Sequence, residues 1–438
     1  MARTDPIAVA IRAFVWLLVA VAASGLLFST KASALLDNGR RLDPSAFSPG
    51  RVVAIDLGNT NSCVAGYASG DADAMFCICI PSWVALSDDG TLLVGEDAKN
   101  YAAVHPGAAV YGFKRLFGKR LNYAFEREFA RRASENLPYK VLEKDGRSHV
   151  QVKTHDDGAA KQLGVEQLTL AVFAKLKETA EVRLGHTVHA AVVTLPQDCH
   201  NDACQDAPLF AATFAGFDAV RVLHEPVTAA VAYGLSGKLR EEGNVVVLHL
   251  GGGTAEATVM TFVDGVYEVL GQNYDPFFGG EDFDRRTVEH FVQLIKDKYG
   301  KDVSNDSAAL QKLRSACEHA KKTLSHRDRA EVHVDSLVEG LNLSESLTRA
   351  KFEELNRDLF LRVVEMVDTA VSRAEIAKYG DVIDEVVLVG GSTVIPKVRE
   401  LVKGYFAGKE IHTRLKPDEV VTVGAVLYIK QSCSRRQR

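Results

Sequence analysis

The sequence predicts an α/β fold built from two duplicated lobes around a cleft. Short β-branched and apolar runs alternate with longer amphipathic stretches, a pattern typical of a sheet covered by helices. A short glycine-rich motif also occurs twice, as IDLGNT at residues 55–60 and LHLGGGT at residues 248–254. Two copies of one motif predict two equivalent lobes whose loops face each other. Clefts between such lobes are preferred sites for small ligands.

The predicted central strands are short apolar runs that end at or near a turn or a glycine. They lie at residues 52–55, 190–195, 245–248 and 386–389. Strands that are buried on both faces have this nearly continuous apolar pattern. Residues 166–184 instead carry apolar side chains four positions apart, from Val172 to Leu184, and Gly185 follows. This spacing predicts an amphipathic helix that packs on a sheet.

The repeated motif suits phosphate binding. Glycine after a buried strand allows a tight turn and lets backbone N–H groups approach a phosphate oxygen, and threonine adds a hydroxyl. One such turn alone is usually an ordinary hairpin, but two copies at strand ends indicate a phosphate site. A third glycine-rich element, VGGST at residues 389–393, precedes Pro396 at a predicted helix start. It suits packing against an adenosine with Ser392 supplying a hydroxyl, although a plain strand-to-helix turn has the same pattern.

Composition excludes some classes of partner. The chain has 438 residues, of which 47% are hydrophobic, and this is long enough for more than one core. Its formal net charge of −5 comes from acidic and basic residues mixed along the chain. Without a basic stripe, nucleic acid is not an expected partner.

The N-terminal 34 residues read as a targeting segment. Two arginines precede an apolar run at residues 13–28, and Ala32-Ser33-Ala34 offers a cleavage site for a secretory signal peptide. An uncleaved anchor, with membrane association through residues 13–28, and mitochondrial import are the alternatives. A polar linker follows at residues 35–50. We therefore expect the secretory pathway, either the endoplasmic reticulum lumen or the microsomal membrane.

Cysteines and sequons agree with that location. Seven cysteines are an odd number, so at least one thiol stays unpaired or pairs between molecules. Glycosylation sequons occur at residues 305–307 and 342–344. Cys199, His200 and Cys204 suggest zinc, but structural zinc wants four ligands, so we expect no metal there. We expect Cys77 and Cys79 to lie on a strand.

Five ordered blocks resemble the ATPase domain of the seventy-kilodalton heat-shock (stress-70) chaperones. They are AIDLGNTNSCV at 54–64, FKRLFG at 113–118, HEPVTAAVAYG at 224–234, GGEDFD at 279–284 and LVGGSTVIP at 388–396. The resemblance covers roughly residues 52–430 and implies an actin-like (ribonuclease-H-like) ATPase fold. It implies lobe I at about 51–236 plus 416–430, lobe II at about 237–415, and a tail at 431–438.

The resemblance also implies bound ATP or ADP with Mg²⁺ and a set of site residues. The implied catalytic residues are Asp56, Lys114, Glu225 and Thr254, with Asp56 also at the metal. The implied nucleotide-binding residues are Gly58, Asn59, Thr60, Asn61, Lys114, Gly251, Gly252, Gly253, Thr254, Gly279, Gly280, Glu281, Glu318, Lys321, Lys322, Ser325, Gly390, Gly391, Ser392, Thr393, Val394 and Asp418.

Three of these residues carry the implied chemistry. The Lys114 ammonium would stabilise the negative transition state of phosphoryl transfer near the γ-phosphate. From sequence alone, an ordinary surface lysine is an equal alternative. Asp56 would orient waters around Mg²⁺, which keeps several waters when bound, and Glu225 would hold a water near the metal.

The chain departs from the family pattern at the head of the second loop, where His249 replaces an aspartate. A histidine with its ordinary pKa near 6.5 is neutral or positive, so metal organisation should suffer and hydrolysis should be weak or lost. The alternative is that His249 acts as a general base on the attacking water. Asn59 in place of threonine, Ala255-Glu256 in place of Phe-Asp, and Val394 in place of arginine point to weaker binding or hydrolysis.

Two further departures concern partners. The segment PQDCHNDAC at residues 196–204 replaces the family's Pro-Ala-Tyr-Phe relay to a second domain. We expect no peptide-binding domain after residue 430, and on that expectation the architecture resembles the short, microsome-associated type of member with only an ATPase core. We expect a chaperone-like ATP-binding protein whose partners are other chaperones, co-chaperones or nucleotide-exchange factors. A nucleotide-independent scaffold or co-chaperone is the main alternative, and the five blocks argue against a sugar- or acetate-kinase-like enzyme.

Overall fold

The computed structural model describes residues 50–68, 74–135, 137, 139–153, 160–199, 202–239, 242–376 and 382–436. The predicted signal segment, its apolar run at 13–28 and all but the last residue of the linker lie outside this part of the chain. Within the described residues, no helix is both long enough and apolar enough to cross a membrane.

The first sheet carries the first copy of the motif. Its strands are β1 (Val52–Asp56), β2 (Asn61–Tyr67), β3 (Met75–Pro81), β10 (Ala190–Leu195) and β11 (Ala219–His224). They follow the order β11-β10-β1-β2-β3, in which β1, β10 and β11 are parallel and β2 and β3 are antiparallel to their neighbours. All five residues of β1 are buried, as its apolar run predicts for a central strand.

The second sheet repeats this arrangement. Its strands are β12 (Glu242–Leu250), β13 (Ala255–Val263), β14 (Val266–Asp275), β17 (Glu385–Val389) and β18 (Ile411–His412). Their order is β14-β13-β12-β17-β18, with β12, β17 and β18 parallel. Asp56 pairs with β10 and β2, and His249 pairs with β17 and β13. The two residues therefore hold equivalent places, and the predicted duplication of α/β lobes is confirmed.

Each lobe also contains smaller sheets or hairpins. One joins β5 (Leu92–Val94), β4 (Trp83–Leu86) and β6 (Ala109–Tyr111), and another joins β7 (Lys140–Lys144), β8 (Arg147–Lys153) and β9 (Ala160–Gly164). The second lobe carries a hairpin of β15 (Arg329–Val338) and β16 (Leu341–Thr348).

Helices cover the faces of the two large sheets. They are α1 (Glu96–Ala102), α2 (Ala124–Ser134), α3 (Val165–Leu184), α4 (Asp202–Phe214), α5 (Glu225–Ala232), α6 (Leu235–Lys238), α7 (Gly280–Tyr299), α8 (Ser307–Leu324), α9 (Arg349–Leu355), α10 (Arg357–Ala374), α11 (Pro396–Tyr405) and α12 (Val420–Arg436). Helix α3 matches the predicted amphipathic helix and ends at Gly185, which adopts the left-handed conformation with φ 75°.

Alternate residues of each central strand face different cores. In the first lobe, Val53 and Ile55 of β1 pack with α3 and α4, whereas Val52 and Ala54 face α12. In the second lobe, one face of β12 packs on α7, α8 and α10 and the other on α5. Each sheet is thus buried on both faces, which explains why the central strands lack a polar alternation.

Two helices lie between the sheets and join the lobes. Helix α12 packs on the first sheet, α5 packs on the second, and the two helices pack against each other. A Cβ at Gly424 would lie 1.8 Å from the carbonyl oxygen of Thr228, so only glycine permits this approach. Helix α12 continues through most of the predicted tail.

Four cysteines form disulfides. Cys63 and Cys79 join β2 to β3, and Cys199 and Cys204 close the segment after β10. The second bond uses both cysteines of the zinc pattern, and His200 lies outside the described residues. The predicted strand across residues 77–79 is confirmed as part of β3. The thiol of Cys77 is free and partly buried.

Candidate functional site

A cleft of about 540 Å³ lies between the lobes, where β1 and β12 end. This volume is within the usual range for small-ligand sites. Most of the predicted site residues line it. They are Asp56, Gly58, Asn59, Thr60, Asn61, Lys114, Gly251, Gly252, Thr254, Glu281, Glu318, Lys321, Lys322, Ser325, Gly390, Gly391, Ser392, Val394 and Asp418. The structure thus brings residues from four of the five sequence blocks to the cleft lining, and the block at 224–234 contributes no lining residue.

Five predicted residues lie behind this lining: Glu225, Gly253, Gly279, Gly280 and Thr393. Gly279 and Gly280 begin α7, where the Gly280 N–H donates to the Gly251 carbonyl at 2.9 Å. The start of α7 therefore supports the second glycine-rich loop from behind. Glu225 begins α5 and reaches the cleft through two ion pairs described below.

The two glycine-rich loops face each other closely. A Cβ at Gly252 would lie 1.9 Å from Thr60 Oγ1 in the opposite loop. Thr60 Oγ1 is buried and has no hydrogen-bond partner within the described structure. A buried hydroxyl without a partner is costly, so a polar ligand between the loops would satisfy it.

Arg115, which the sequence analysis did not single out, links the lobes at these loops. Its Nη2 donates to the Gly253 carbonyl at 2.6 Å and to Glu281 Oε2 at 3.1 Å. Asn59 Nδ2 donates to the other oxygen of Glu281 at 2.7 Å. Asn59, the residue that replaces threonine, is therefore engaged with the opposite lobe. We call Arg115, Asn59, Glu281 and Gly253 the interlobe clasp.

An aromatic pair that the sequence did not predict also lies at the cleft. The rings of Trp83 and Tyr111 stack with their centroids 4.2 Å apart, and both residues line the cleft. Each lies on a short strand of the small β5-β4-β6 sheet. No glycine or charge pattern marks these residues, so the sequence offered no signal for them.

Four of the predicted nucleotide-binding residues come from α8 and its C-terminal cap: Glu318, Lys321, Lys322 and Ser325. Lys321 Nζ contacts Asp284 Oδ2 at 2.6 Å and donates to the Gly280 carbonyl at 2.9 Å. Lys322 pairs with Glu318 at 2.7 Å. Burial raises the pKa of Asp284 to about 6, although Lys321 acts in the opposite direction. Both lysines are thus bound to protein groups at one side of the cleft.

The third glycine-rich element packs against the second loop. Ser392 Oγ donates to the Gly251 carbonyl at 2.9 Å. Its hydroxyl hydrogen is therefore used within the protein, whereas the sequence analysis expected the hydroxyl to serve the nucleotide. Val394, in the place of an arginine, lines the cleft without a charged group.

A cluster of charged side chains lies beneath the two loops. The carboxylate of Glu225 is nearly inaccessible, with 4% of the side chain exposed. Its Oε1 is 3.3 Å from Lys114 Nζ, and its Oε2 is 2.8 Å from His249 Nδ1. Asp56 Oδ1 accepts a hydrogen bond from Thr194 Oγ1 at 2.8 Å. Lys114 is thus a cleft residue, which answers the alternative of an ordinary surface lysine.

Burial and pairing set the charges in this cluster. Burial alone would raise the pKa of Glu225, but Lys114 and His249 lower it to about 2. Burial alone would lower the pKa of His249, but its contact with Glu225 raises it. Burial and the charge of Glu225 both raise the pKa of Asp56. We infer that Glu225 is ionised and that His249 is favoured as the imidazolium.

Glu256 is a third buried carboxyl in this region. Its Oε1 accepts from Thr258 Oγ1 at 2.9 Å, and its Oε2 accepts from the Gln197 N–H at 3.2 Å. Burial, aided by the negative charge of Glu225, raises its pKa to about 7. Glu256 is therefore partly protonated near neutral pH. Gln197 belongs to the segment whose sequence replaces the family's relay.

Mg²⁺ fits these residues poorly. It prefers oxygen ligands and keeps several waters when bound. Both oxygens of Glu225 are engaged by protein cations, and one oxygen of Asp56 is engaged by Thr194. Across the described residues, no group of three or more His, Cys, Asp or Glu side chains could hold a metal ion.

Comparison with known proteins identifies the family. The family model described as Hsp70 protein matches residues 52–430. The chain is also 45% identical over 380 residues to heat shock 70 kDa protein BIP3 of Oryza sativa subsp. japonica, covering 86% of this chain and 56% of that protein. The chain thus spans little more than half the length of this relative. It belongs to the heat-shock protein 70 family, and its two lobes form the actin-like ATPase domain of that family.

Proposed function

We propose that this chain binds ATP or ADP in the cleft between its lobes and hydrolyses ATP slowly or not at all. The observation that carries the proposal is the meeting of both glycine-rich loops around a buried Thr60 hydroxyl that has no hydrogen-bond partner among the described residues. Lys114 lines the same cleft and supplies positive charge toward the phosphates. Family membership supports a chaperone role for the protein, with the bound nucleotide serving that role.

Slow hydrolysis follows from how Glu225 is used. Each oxygen of its carboxylate is paired with a protein cation, Lys114 or His249, so Glu225 has less negative charge and fewer acceptor sites to offer an attacking water or a hydrated metal. A general base must have a free lone pair for the proton that it accepts. His249 is favoured as the imidazolium, which has none, so the alternative of His249 as general base loses support.

Isothermal titration calorimetry of the full chain with ATP and with ADP tests nucleotide binding. We expect saturable binding of at least one of them. No detectable heat at millimolar nucleotide, with the protein shown to be folded by circular dichroism, would refute the proposal.

The interlobe clasp favours a second candidate, a nucleotide-independent scaffold or co-chaperone. Arg115, Asn59 and Glu281 join the loops directly, so contacts within the protein help to hold the two lobes together. Thermal unfolding with and without ATP separates the two candidates, because a ligand that binds the folded state raises apparent stability. An unchanged melting temperature at millimolar ATP would favour the scaffold.

We further propose a location in the endoplasmic reticulum, with other chaperones, co-chaperones or nucleotide-exchange factors as partners. The apolar run at residues 13–28 and the Ala32-Ser33-Ala34 site support entry into the secretory pathway. Fusing residues 1–40 to a reporter tests this address. We expect the reporter in the secretory pathway, and a cytosolic or mitochondrial reporter would contradict it.

A further inference from the structure

The charge cluster beneath the loops points to a property beyond nucleotide binding itself. Resting on the proposed function, we propose that the cleft binds adenine nucleotide without a divalent cation. His249 supplies, from within the protein, positive charge beside the second loop that a hydrated metal ion would otherwise bring.

Both carboxylate oxygens of Glu225 are already paired with cations of the protein. Its two oxygens face Lys114 Nζ at 3.3 Å and His249 Nδ1 at 2.8 Å, and the carboxylate is almost completely buried. A hydrated cation would have to share this carboxylate with both partners or displace one of them. Displacement would break a buried ion pair, which is strongly destabilising because it leaves an uncompensated charge. Sharing would bring the cation close to Lys114 and His249, so Glu225 is a poor anchor for a hydrated metal ion.

The second support is the balance of charge. Lys114 provides one positive charge and the contact with Glu225 favours a second on His249, whereas Asp56 and Glu225 provide at most two negative charges. Glu256, with its pKa of about 7, adds less than a full negative charge at neutral pH. A divalent cation would enter a buried site that is already close to neutral. A nucleotide phosphate, in contrast, would meet two cations that belong to the protein.

The third support is the position of the imidazole. Nδ1 contacts Glu225, whereas Nε2 lies on the side of the second loop, 3.5 Å from where a Cβ on Gly251 would be. His249 also lines the cleft. An imidazolium keeps a donor on each ring nitrogen, so the second N–H remains beside the loop after the first is used.

Nucleotide affinity of the full chain, measured by calorimetry in excess Mg²⁺ and in excess EDTA, tests this proposal. We expect the two dissociation constants to agree within about twofold, well below a tenfold change, which is about 1.4 kcal/mol. Binding at least tenfold tighter in Mg²⁺ would overturn the inference and leave the proposed function intact. Binding in neither condition would overturn the proposed function, and the inference with it.

A substitution reverses the predicted behaviour. In His249→Asp, a carboxylate replaces the cation, so we expect ATP to bind at least about tenfold more weakly in EDTA and to recover with Mg²⁺. His412→Asp is the matched control, because His412 forms a comparable buried pair with Glu385 at 2.6 Å outside the cleft lining. We expect this control to bind nucleotide equally in both conditions.

A measurement without nucleotide guards against misfolding of the variant. Two adjacent carboxylates in His249→Asp should be relieved by a cation, so Mg²⁺ alone should raise its melting temperature. Mg²⁺ should leave that of the wild type unchanged. Stabilisation of the wild type by Mg²⁺ alone would overturn the inference.

Discussion

His249 and Asp56 hold equivalent places in the two sheets, yet they carry opposite charges into one cluster. The sequence identified the substitution, because the duplicated motif and the family pattern both place an aspartate at that position. It could not identify the partner of His249. Glu225 begins a helix of the first lobe, and only the packing of α5 on the second sheet brings its carboxylate to 2.8 Å from the imidazole. Contacts of this kind depend on tertiary packing.

Restoring the family's carboxylate should restore turnover. We expect His249→Asp to hydrolyse ATP at least about tenfold faster than the wild type when Mg²⁺ is present, because Glu225 is released and a metal can be held. Single-turnover hydrolysis of ATP is the measurement. Adding Lys114→Ala to the His249→Asp variant should remove the increase in hydrolysis rate. A fast wild type that Lys114→Ala slows would show that the native cleft is already active.

Glu256 should make folding stability depend on pH. Its pKa is raised from 4.5 to about 7 in the folded protein, so the folded state holds a proton that the unfolded state releases first. The free energy of unfolding should therefore fall as the pH rises from 4.5 to 7, by on the order of 3 kcal/mol from this group. Glu256→Gln mimics the protonated form and should flatten this fall in denaturant unfolding curves. An unchanged pH dependence would show that Glu256 is ionised in the folded state.

At the scale of elements, periodicity and glycine placement predicted the central strands and α3. Strand β12 begins three residues before its apolar run, because residues 242–244 pair with β13 although they are not uniformly apolar. The Arg115 contact could not be predicted. Adjacent basic residues in a short helical turn point in different directions, and the sequence does not say which of Lys114 and Arg115 reaches the opposite loop.

The second loop should tolerate no side chain at its centre. In Gly252→Asp, the new Cβ would collide with Thr60 Oγ1, and the carboxylate would repel a phosphate. We expect nucleotide binding to be lost while the lobes remain folded, as measured by calorimetry and circular dichroism. Gly404→Asp is the control, because a Cβ at Gly404 meets no atom within 4 Å. Normal nucleotide binding by Gly252→Asp would refute the assignment of this loop.

At the scale of the whole molecule, the duplicated motif predicted two lobes and a cleft, and the structure has both. The closure between the lobes was not foreseen, because it depends on side chains that meet only after both lobes have folded. Arg115 and Asn59 of the first lobe form hydrogen bonds directly with Gly253 and Glu281 of the second.

Removing the clasp should open the molecule. In Arg115→Met, the side chain keeps its apolar stem but loses its donors to Gly253 and Glu281. We expect a larger radius of gyration by small-angle X-ray scattering without nucleotide, and a loss of about 2 kcal/mol in the free energy of unfolding. Arg120→Met, at an exposed position outside the clasp, should change neither quantity. An unchanged radius for Arg115→Met would mean that the helices between the lobes suffice to keep them closed.

The close approach of α5 and α12 at Gly424 and Thr228 gives the two lobes a pivot about which they can rotate. The clasp joins the glycine-rich loops of the two lobes, whereas these two helices meet between the sheets, each packed on a different sheet. A small rotation of one lobe about the helix contact would produce a larger displacement of that lobe's glycine-rich loop. Because glycine brings the two backbones into contact, α5 and α12 have little room to shift relative to each other. Motion of one lobe is therefore transmitted to the other.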